Sequence, residues 1–267
     1  MIRIAMAGAA GRMGQTILGL AAKDRAFKIT GALEMAACPS LGQDIGTLLG
    51  CDPVGVRLTT SPSVALQSAD VLIDFSHPSA LNANLKACVK NKTGYVLGTT
   101  GLKAAALKSL KTASKKIPIV QAPNMSIGVN ILFWLSEVTA GVLTEDYDIE
   151  IAETHHRMKK DAPSGTAMKL LEIVAKARKR NPSRDTVYGR RGETGARSRG
   201  KIGVLAFRGG DVVGDHTVFY LGDGERLELT HRASSREAFA QGALRAARFV
   251  AKRRHGLYDM RQVLGMA

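Results

Sequence analysis

The sequence predicts an α/β fold in which a parallel sheet is accompanied by a smaller domain built on a mixed sheet. In the first half of the chain, apolar strand-like runs alternate with helical patterns, which is typical of βαβ crossovers. This alternation ends after Pro123-Asn124. Beyond residue 200, strand-like segments follow one another with only Gly/Asp turns between them, which favours an α+β arrangement.

The first half supplies the elements of the parallel sheet. The predicted strands are Ile2–Ala7, Ile29–Glu34, Val71–Phe75, Tyr95–Gly98 and Ile117–Gln121. The predicted helices are Arg12–Lys23, Ser79–Asn91 and Lys103–Lys116. Helices of this length are long enough to carry the chain back to the start of a parallel neighbour.

The second half begins with an apolar helix and then becomes strand-rich. The predicted elements are helix Gly128–Val142, strand Tyr147–Ile151, helix Thr166–Arg178, strands Ile202–Arg208, Thr217–Leu221 and Arg226–His231, and helices Arg236–Arg254 and Asp259–Leu264. Ser234 or Ser235 is the expected N-cap of the helix that begins near residue 236, and Gly256 its expected stop. We therefore predict one domain at 1–126 completed by 236–267, with a second domain inserted at 127–235.

Composition favours a cytoplasmic enzyme without structural metal. The chain has 267 residues, of which 45% are hydrophobic, and contains no apolar run long enough for a membrane span. The first strand leads directly into a glycine loop, so no signal peptide is expected. Cys38, Cys51 and Cys88 show no CxxC spacing. We expect free thiols in a reducing compartment, and neither a disulfide framework nor a zinc site.

The net charge of +15 raises the question of polyanion binding. Much of this charge lies between Lys176 and Lys201, a stretch that is broken by four glycines and contains few aromatic residues for base stacking. A solvated helix end and loop is the favoured interpretation, and a nucleic-acid site is the alternative. We expect no nucleic-acid partner.

A glycine-rich loop follows the first predicted strand and opens the first predicted helix. Such a loop lets the backbone approach a pyrophosphate, and the helix N-terminus offers N–H donors. The spacing is GxxGxxG and not GxGxxG, but Glu34 ends the next strand, where an acidic side chain can bind a ribose hydroxyl. We predict a Rossmann-type dinucleotide-binding domain; the alternative is a tight turn without a ligand. The residues of this loop are Gly8, Ala9, Ala10, Gly11, Arg12, Met13 and Gly14.

A polar cluster lies just past the predicted strand at 147–151. His155 and His156 are adjacent, and Lys159 follows within the same loop. Histidine titrates near neutral pH, and lysine can hold an anion or donate a proton. We do not predict a metal site, because adjacent histidines on an extended strand point to opposite faces and no third ligand is evident.

The same loop ends at a helix start that can bind an anion. Ser164, Gly165 and Thr166 open the predicted helix, so backbone N–H groups and hydroxyls form a candidate carboxylate site. The alternative interpretation of the whole segment is a polar loop with a helix cap.

These motifs together resemble the dihydrodipicolinate reductase family over essentially the whole chain. The matching segments are GAAGRMG at residue 8, IDFSHP at 73, GTTG at 98, APNMSIGVN at 122, ETHHRMKKDAPSGTA at 153, VGDHTV at 213, THRASSR at 230 and GLYDMRQVLG at 256. The resemblance implies reduction of 4-hydroxy-tetrahydrodipicolinate, or the dihydrodipicolinate derived from it, to tetrahydrodipicolinate in lysine and diaminopimelate synthesis. It implies NADH or NADPH as cofactor and a homotetramer assembled through the second domain.

The resemblance also assigns roles residue by residue. His155 matches the family's proton donor/acceptor and Lys159 its second proton donor. His156, Gly165 and Thr166 match residues that hold the dicarboxylate substrate, and Ser164 adjoins them. The implied cofactor residues are Gly8, Ala9, Ala10, Gly11, Arg12, Met13, Glu34, Gly98, Thr99, Thr100, Ala122, Pro123, Asn124 and Met125.

One departure from the family pattern concerns the choice of cofactor. Many relatives have an arginine directly after the acidic residue, where it meets the 2′-phosphate of NADPH, but here the position is Met35. We therefore expect NADH to be favoured, although Arg12 could compensate. There are two alternatives to the family function. The first is a different nicotinamide-dependent reductase, but such an enzyme would not be expected to carry the motif at 153–167. The second is a non-enzymatic nucleic-acid or redox-sensing protein.

Overall fold

The computed structural model describes residues 1–266 and divides the chain into two compact units. The first unit comprises Met1–Ile127 and Arg236–Ala267, and the second comprises Gly128–Ser235. The predicted range 236–267 ends on Ala267, which lies outside the described residues.

Elements are numbered along the chain. The strands are β1 (Ile2–Ala7), β2 (Phe27–Leu33), β3 (Leu58–Thr59), β4 (Val71–Asp74), β5 (Gly94–Leu97), β6 (Pro118–Gln121), β7 (Asp148–His155), β8 (Thr186–Val187), β9 (Ile202–Arg208), β10 (Gly214–Leu221), β11 (Arg226–Ala233) and β12 (Gly256–Tyr258). The helices are α1 (Arg12–Lys23), α2 (Ile45–Leu48), α3 (Pro62–Ala65), α4 (Leu81–Asn91), α5 (Ala104–Ala113), α6 (Ile127–Val142), α7 (Gly165–Ala177), α8 (Pro182–Asp185), α9 (Glu237–Val250) and α10 (Met260–Leu264).

The first unit is built on a seven-stranded parallel sheet with helices on both faces. The strand order is β12-β6-β5-β4-β1-β2-β3, and every pairing is parallel. Ile4 and Met6 of β1 enter the core shared with α1 and α9, whereas Ala5 and Ala7 enter the core shared with α4 and α5. The chain order reverses between β1 and β4, and in open α/β sheets ligands bind at the carboxyl ends of the strands at such a reversal. The Rossmann-type sheet is therefore confirmed.

The C-terminal return differs from the prediction in two details. Helix α9 is capped by Arg236 without a side-chain hydrogen bond, so the predicted cap at Ser234 or Ser235 is wrong. Strand β11 runs to Ala233, and the two serines form the bend that follows it. Gly256 does not stop α9, which ends earlier; it begins β12, where its N–H donates to the carbonyl of Ser114 and the strand joins the edge of the sheet beside β6.

The second unit is built on a five-stranded mixed sheet, as predicted. Its order is β11-β10-β7-β9-β8, with antiparallel β11-β10 and β10-β7 pairs and parallel β7-β9 and β8-β9 pairs. Helices α6 and α7 cover one face and bury Ile149, Ile151, Val218 and Tyr220. Residues 148–155 alternate between this face and the other, so the predicted strand at 147–151 extends to His155.

The basic stretch is a helix end and loop, but several of its charges are paired and not solvated as expected. Arg180 pairs with Glu145. Arg197 binds Asp148 and Glu150, and its side chain is only 20% exposed. Arg190 pairs with Glu150 as well, at 2.8 Å. Acidic side chains that are distant in sequence thus bind these arginines, which sequence alone did not indicate.

Within residues 1–266, no helix is both long and apolar enough to cross a membrane. Over the same residues, no group of three or more His, Cys, Asp or Glu side chains could hold a metal ion.

The packing of α9 generates a stability prediction. A Cβ atom at Gly242 would overlap the carbonyl of Met125, whereas one at Gly19 of α1 would meet nothing within 4 Å. We expect Gly242→Ala to destabilise the first unit by about 1–3 kcal/mol through overpacking. Gly19→Ala, the matched control, should stabilise it by up to about 1 kcal/mol because alanine favours helix. Calorimetric unfolding of both variants measures this, and equal transitions would contradict it.

Candidate active site

The glycine loop of the first unit is packed so closely that two of its positions leave no room for a side chain. Gly8 adopts φ +78°, and a Cβ there would lie 2.9 Å from the carbonyl oxygen of Phe75. A Cβ at Gly14 would overlap the backbone of Gly8 and Ala9, so α1 packs directly on the loop. A side chain at either position would collide with neighbouring backbone, and this close packing of loop, strand and helix is typical of dinucleotide-binding loops.

The first turn of α1 is open to an anion. Its N-cap, Gly11, offers no side-chain hydrogen bond, and no acidic residue lies in the first turn. The helix supplies no acceptor for the N–H groups of its own first turn, and its N-terminus carries partial positive charge. These features are the ones on which dinucleotide-binding loops rely.

Glu34 is held against the glycine loop. Its Oε1 accepts the N–H of Ala10 at 2.9 Å, and its Oε2 accepts the N–H of Met35 at 3.1 Å. The structure thus brings the predicted acidic residue to the predicted loop. The Met35 side chain is 68% exposed.

The loops after β4 and β5 are joined by a buried carboxylate. Asp74 accepts hydrogen bonds from Asn84 at 2.9 Å and from the hydroxyl of Tyr95 at 2.5 Å. It also accepts from the backbone and hydroxyl of Ser76, while the Thr99 hydroxyl donates to the Ser76 carbonyl at 3.0 Å. Burial, with Asp74 nearby, raises the pKa of Tyr95. Thr99, one of the predicted cofactor residues, is therefore fixed at the carboxyl edge of the sheet.

The remaining predicted cofactor residues lie at the same edge. Gly98 and Thr100 flank Thr99, and a Cβ at Gly98 would overlap the ring of Phe75.

The predicted cofactor residues after β6 differ in exposure. Ala122 and Met125 are buried, so they can offer only backbone groups to a ligand, whereas Pro123 is exposed. Asn124 accepts the N–H of Ser126 at 2.9 Å.

In the second unit, alternation along β7 places Glu153 and His155 on one face. Both side chains are buried, and Nδ1 of His155 lies 2.5 Å from Oε2 of Glu153. Arg208, which is opposite His155 in the parallel β7–β9 register, binds both carboxylate oxygens of Glu153 at 2.8 and 2.9 Å. Burial alone would raise the pKa of Glu153, but the hydrogen bonds from Arg208 and His155 hold that pKa below its usual value.

His155 lies among other titratable groups. Burial lowers the pKa of His155, and Glu153 opposes that effect only in part. The ring of His216 meets His155 edge-on with centroids 5.2 Å apart. Burial and the proximity of His155 lower the pKa of His216 to about 3, so His216 is neutral near pH 7.

The predicted loop residues follow directly. Lys159 is mostly buried, and its Nζ lies 2.8 Å from Oδ1 of Asp161. The backbone N–H of His156 donates to the carbonyl of Val212, and Lys159 donates its own backbone N–H to the carbonyl of His156. Lys159 is therefore a charged group held in place, and its partner Asp161 is exposed.

The start of α7 is organised by Ser164. Its hydroxyl accepts the N–H of Ala167 at 3.2 Å as an N-cap and contacts Nε2 of His216 at 3.0 Å, while its backbone N–H donates to Oε1 of Glu153 at 3.0 Å. Both polar groups of Ser164 are thus engaged inside the protein. Gly165 and Thr166 form the first turn of the helix, and Gly165 is exposed.

The structure therefore brings His155, Lys159 and the start of α7 into one region of the second unit. Sequence reasoning missed Arg208, and it quoted Glu153 and His216 only as parts of matching motifs. The alternation of β7 could have paired Glu153 with His155. Nothing in the sequence indicated Arg208, because that contact depends on the register of two distant strands.

Comparisons with known proteins decide the family. The protein-family model described as "Dihydrodipicolinate reductase, N-terminus" matches residues 2–125, and the family model "Dihydrodipicolinate reductase, C-terminus" matches residues 128–264. The 4-hydroxy-tetrahydrodipicolinate reductase of Nitrosospira multiformis is 48% identical over 99% of this chain and 98% of the relative. The enzyme of the same name from Thiobacillus denitrificans is 49% identical over 99% of each. The chain belongs to the dihydrodipicolinate reductase family.

Solved structures support the same fold. The dipicolinate-bound dihydrodipicolinate reductase from Paenisporosarcina sp. TG-14 has a TM-score of 0.80 at 24% identity and covers 98% of this chain and 99% of its own. A probable dehydrogenase from Thermotoga maritima has a TM-score of 0.62 at 10% identity and covers 99% and 93%. The predicted family, fold class and oxidoreductase class are confirmed, and membership in the dihydrodipicolinate reductase family supports a nicotinamide cofactor.

Proposed function

We propose that this chain reduces 4-hydroxy-tetrahydrodipicolinate, or the dihydrodipicolinate derived from it, to tetrahydrodipicolinate in lysine and diaminopimelate synthesis. The observation that carries the proposal is the arrangement of His155, Lys159 and the start of α7 in a chain whose relatives bear the name of this reaction. It unites a titratable imidazole, a fixed positive charge and a helix N-terminus, which suit an anionic substrate that must gain a proton.

The glycine loop of the first unit would hold the cofactor. A nicotinamide supplies a hydride, and the chain's own residues bind the rest of that molecule. The backbone at Gly8–Met13 and the first turn of α1 would bind the pyrophosphate, and Glu34 would bind an adenosine ribose hydroxyl. The loops at Gly98–Thr100 and Ala122–Met125 lie at the carboxyl edge of the sheet, where open α/β sheets bind ligands.

The second unit would bind the substrate and supply the proton that the reduction requires. A dicarboxylate finds N–H donors at Gly165 and Thr166 and further donors at His156 and Lys159. Hydride addition leaves an electron pair on the ring, and a proton must reach the atom that carries it. His155 exchanges that proton, and Lys159 stabilises the developing negative charge or donates a proton itself. Ser164 supports this site as the cap of α7.

The nucleic-acid alternative is less well supported by the same structure. Arg180, Arg190 and Arg197 in the basic stretch bind Glu145, Asp148 and Glu150. Charges that are neutralised within the protein contribute less to the field that attracts a polyanion.

Turnover of the parent protein and two variants tests the proposed function. We expect NADH oxidation when dihydrodipicolinate synthase supplies the unstable substrate in place. His155→Gln removes the titrating group at similar size, so kcat should fall roughly 10²–10⁴-fold. Lys159→Met removes a charge and a proton source, so kcat should fall and KM rise together. NADH affinity should stay within about threefold of the parent in both.

A parent protein that oxidises neither NADH nor NADPH with this substrate would contradict the function. Near-normal turnover of His155→Gln would leave the function intact and remove His155 from the chemistry. A salt-dependent gel shift with DNA or RNA, in place of turnover, would favour the nucleic-acid alternative.

Cofactor choice follows from the groups around Glu34. A 2′-phosphate would lie beside its carboxylate, and Met35 offers no positive charge, although Arg12 is exposed nearby in the loop. We propose that NADH is preferred over NADPH.

Calorimetric titration of both cofactors checks this preference. We expect tighter binding of NADH by the parent, and Met35→Arg should shift affinity towards NADPH because arginine binds phosphate well. Met35→Gln, which adds no charge, is the matched control. Tenfold tighter NADPH binding by the parent would refute the preference.

The second unit also offers a surface for self-association. The sheet face opposite α6 and α7 presents Ala152, Leu205, Phe207, Thr217 and Phe219, and Phe207 is 53% exposed. We propose that this face contacts other copies in a homotetramer, because a partly apolar sheet face is stabilised by a cover.

Light scattering coupled to size exclusion measures the assembly. The parent should elute as four copies of the 28.4 kDa chain. Thr217→Arg places a charge at the centre of the sheet face and should yield smaller species, because an unpaired charge in an interface is costly. Thr112→Arg, on the exposed side of α5, should remain tetrameric. A monomeric parent would contradict the proposal.

A further inference from the structure

Glu153 is a buried charged side chain to which the motif comparison assigns no role. It is 1% exposed, and its carboxylate receives hydrogen bonds from His155, Ser164 and Arg208. Burial of an ionised carboxylate costs several kcal/mol unless its oxygens are fully bonded. This site provides four such bonds, two of them from one guanidinium, which is the geometry that best stabilises a carboxylate.

The ionised state of Glu153 determines which nitrogen of His155 carries the proton. An ionised carboxylate can only accept, so the short contact of Oε2 with Nδ1 requires a proton on Nδ1. In neutral His155, Nε2 is then an acceptor. A Cβ built on Gly214 would lie 2.9 Å from this Nε2, so a larger residue there would crowd the atom that faces away from Glu153.

The other oxygen of the same carboxylate fixes the start of α7. Oε1 accepts the N–H of Ser164, and Ser164 caps the helix whose first turn is the candidate carboxylate site. Arg208 adds a third link, because its Nη2 also donates to the carbonyl of Asp161, the residue that pairs with Lys159. The ion pair of Glu153 and Arg208 is thus hydrogen-bonded to the imidazole of His155, to the start of α7 and to the loop that carries Lys159.

We propose that Glu153, held by Arg208, is a positioning residue for the reduction: it keeps the proton of neutral His155 on Nδ1, directs Nε2 to the substrate and holds the start of α7 in register with it. This inference rests on the proposed function and adds to it the atom of His155 that exchanges the proton. Nε2 takes a proton from solvent, and the imidazolium is stabilised by Glu153. The Nε2–H bond breaks as the proton joins the ring atom that carries the electron pair displaced from the substrate's double bond by hydride addition. The imidazole returns to its neutral Nδ1–H form.

The charged and titratable groups that face His155 come from four segments. Glu153 lies on the same strand, Arg208 on β9, His216 on β10 and Lys159 in the following loop. Of these four groups, Glu153 is the negatively charged one, and it contacts the ring. Burial, Lys159 and Arg208 all lower the pKa of His155, and the carboxylate alone among these groups raises it. Loss of its charge should therefore lower that pKa further.

Imidazole ¹⁵N spectra test the inference without any turnover. In histidine-labelled parent protein, the resonances of His155, identified by their absence in His155→Gln, should show a protonated Nδ1 and an unprotonated Nε2 above pH 7. Glu153→Gln keeps the shape but turns an NH₂ group or a neutral oxygen towards the ring. We expect the proton to move to Nε2, or the two forms to mix. A parent that carries its proton on Nε2 overturns the inference even if Glu153→Gln fails to fold.

Steady-state kinetics separate positioning from a merely structural role. Glu153→Gln should lower kcat at pH 7 roughly tenfold or more, raise KM for the substrate and leave KM for NADH within about threefold. The alkaline limb of the kcat profile should move to lower pH by about 1–3 units, the usual effect of an opposite charge in contact. Glu172→Gln, which removes an exposed carboxylate from α7, is the matched control and should match the parent in spectra and kinetics.

The outcomes of the spectra and the kinetics distinguish failure of this inference from failure of the proposed function on which it rests. No turnover by the parent refutes the proposed function, while the spectra still determine the tautomer of His155. A second outcome is that the parent turns over, while Glu153→Gln keeps a near-normal kcat and the same alkaline limb of its kcat–pH profile. That outcome refutes the positioning role and leaves the function intact. A shifted limb with the expected spectra supports both.

Discussion

The ion pair between Glu153 and Arg208 is the interaction on which the candidate site of the second unit depends. A carboxylate buried at the end of a strand is tolerated only when its oxygens are bonded, and here the donors come from β9, β7 and the start of α7. Each donor is thereby fixed relative to the others. The requirement to satisfy one buried charge therefore also sets the geometry of an imidazole and a helix N-terminus.

The first unit uses a buried carboxylate in a different way. Asp74, which ends β4, is fully buried, and its partners are hydroxyl, amide and backbone groups: Ser76, Asn84, Tyr95 and Thr99. These partners come from the loop after β4, from α4 and from β5 and its loop. The network joins two loops at the carboxyl edge of the parallel sheet, where a cofactor is expected to lie. Both units thus place an acidic residue near a strand end to order the loops that follow.

Local pattern was enough to predict much of this architecture. The strand–helix alternation and the glycine loop are short-range features, and the structure shows Gly8 with positive φ and Gly14 at a backbone contact, as such a loop demands. Strand β12 was missed because three residues, Gly256–Tyr258, have no periodicity to detect; they form a strand only by adding to the exposed edge of β6. The cap at Ser234 or Ser235 failed because β11 runs further than its alternation suggested.

The unpredicted part of the candidate site lies in contacts between distant segments. Alternation alone puts Glu153 and His155 on one face, but the proton position on His155 depends on whether Glu153 is ionised. That in turn depends on Arg208, which lies 55 positions further along the chain and meets Glu153 only because β7 and β9 pair in parallel with His155 opposite Arg208. The same holds for Arg197, whose charge suggested an exposed basic loop until the sheet brought Asp148 and Glu150 beside it. Sequence motifs therefore predicted the groups that are proposed to meet the substrate, whereas strand register determined how those groups are oriented and charged.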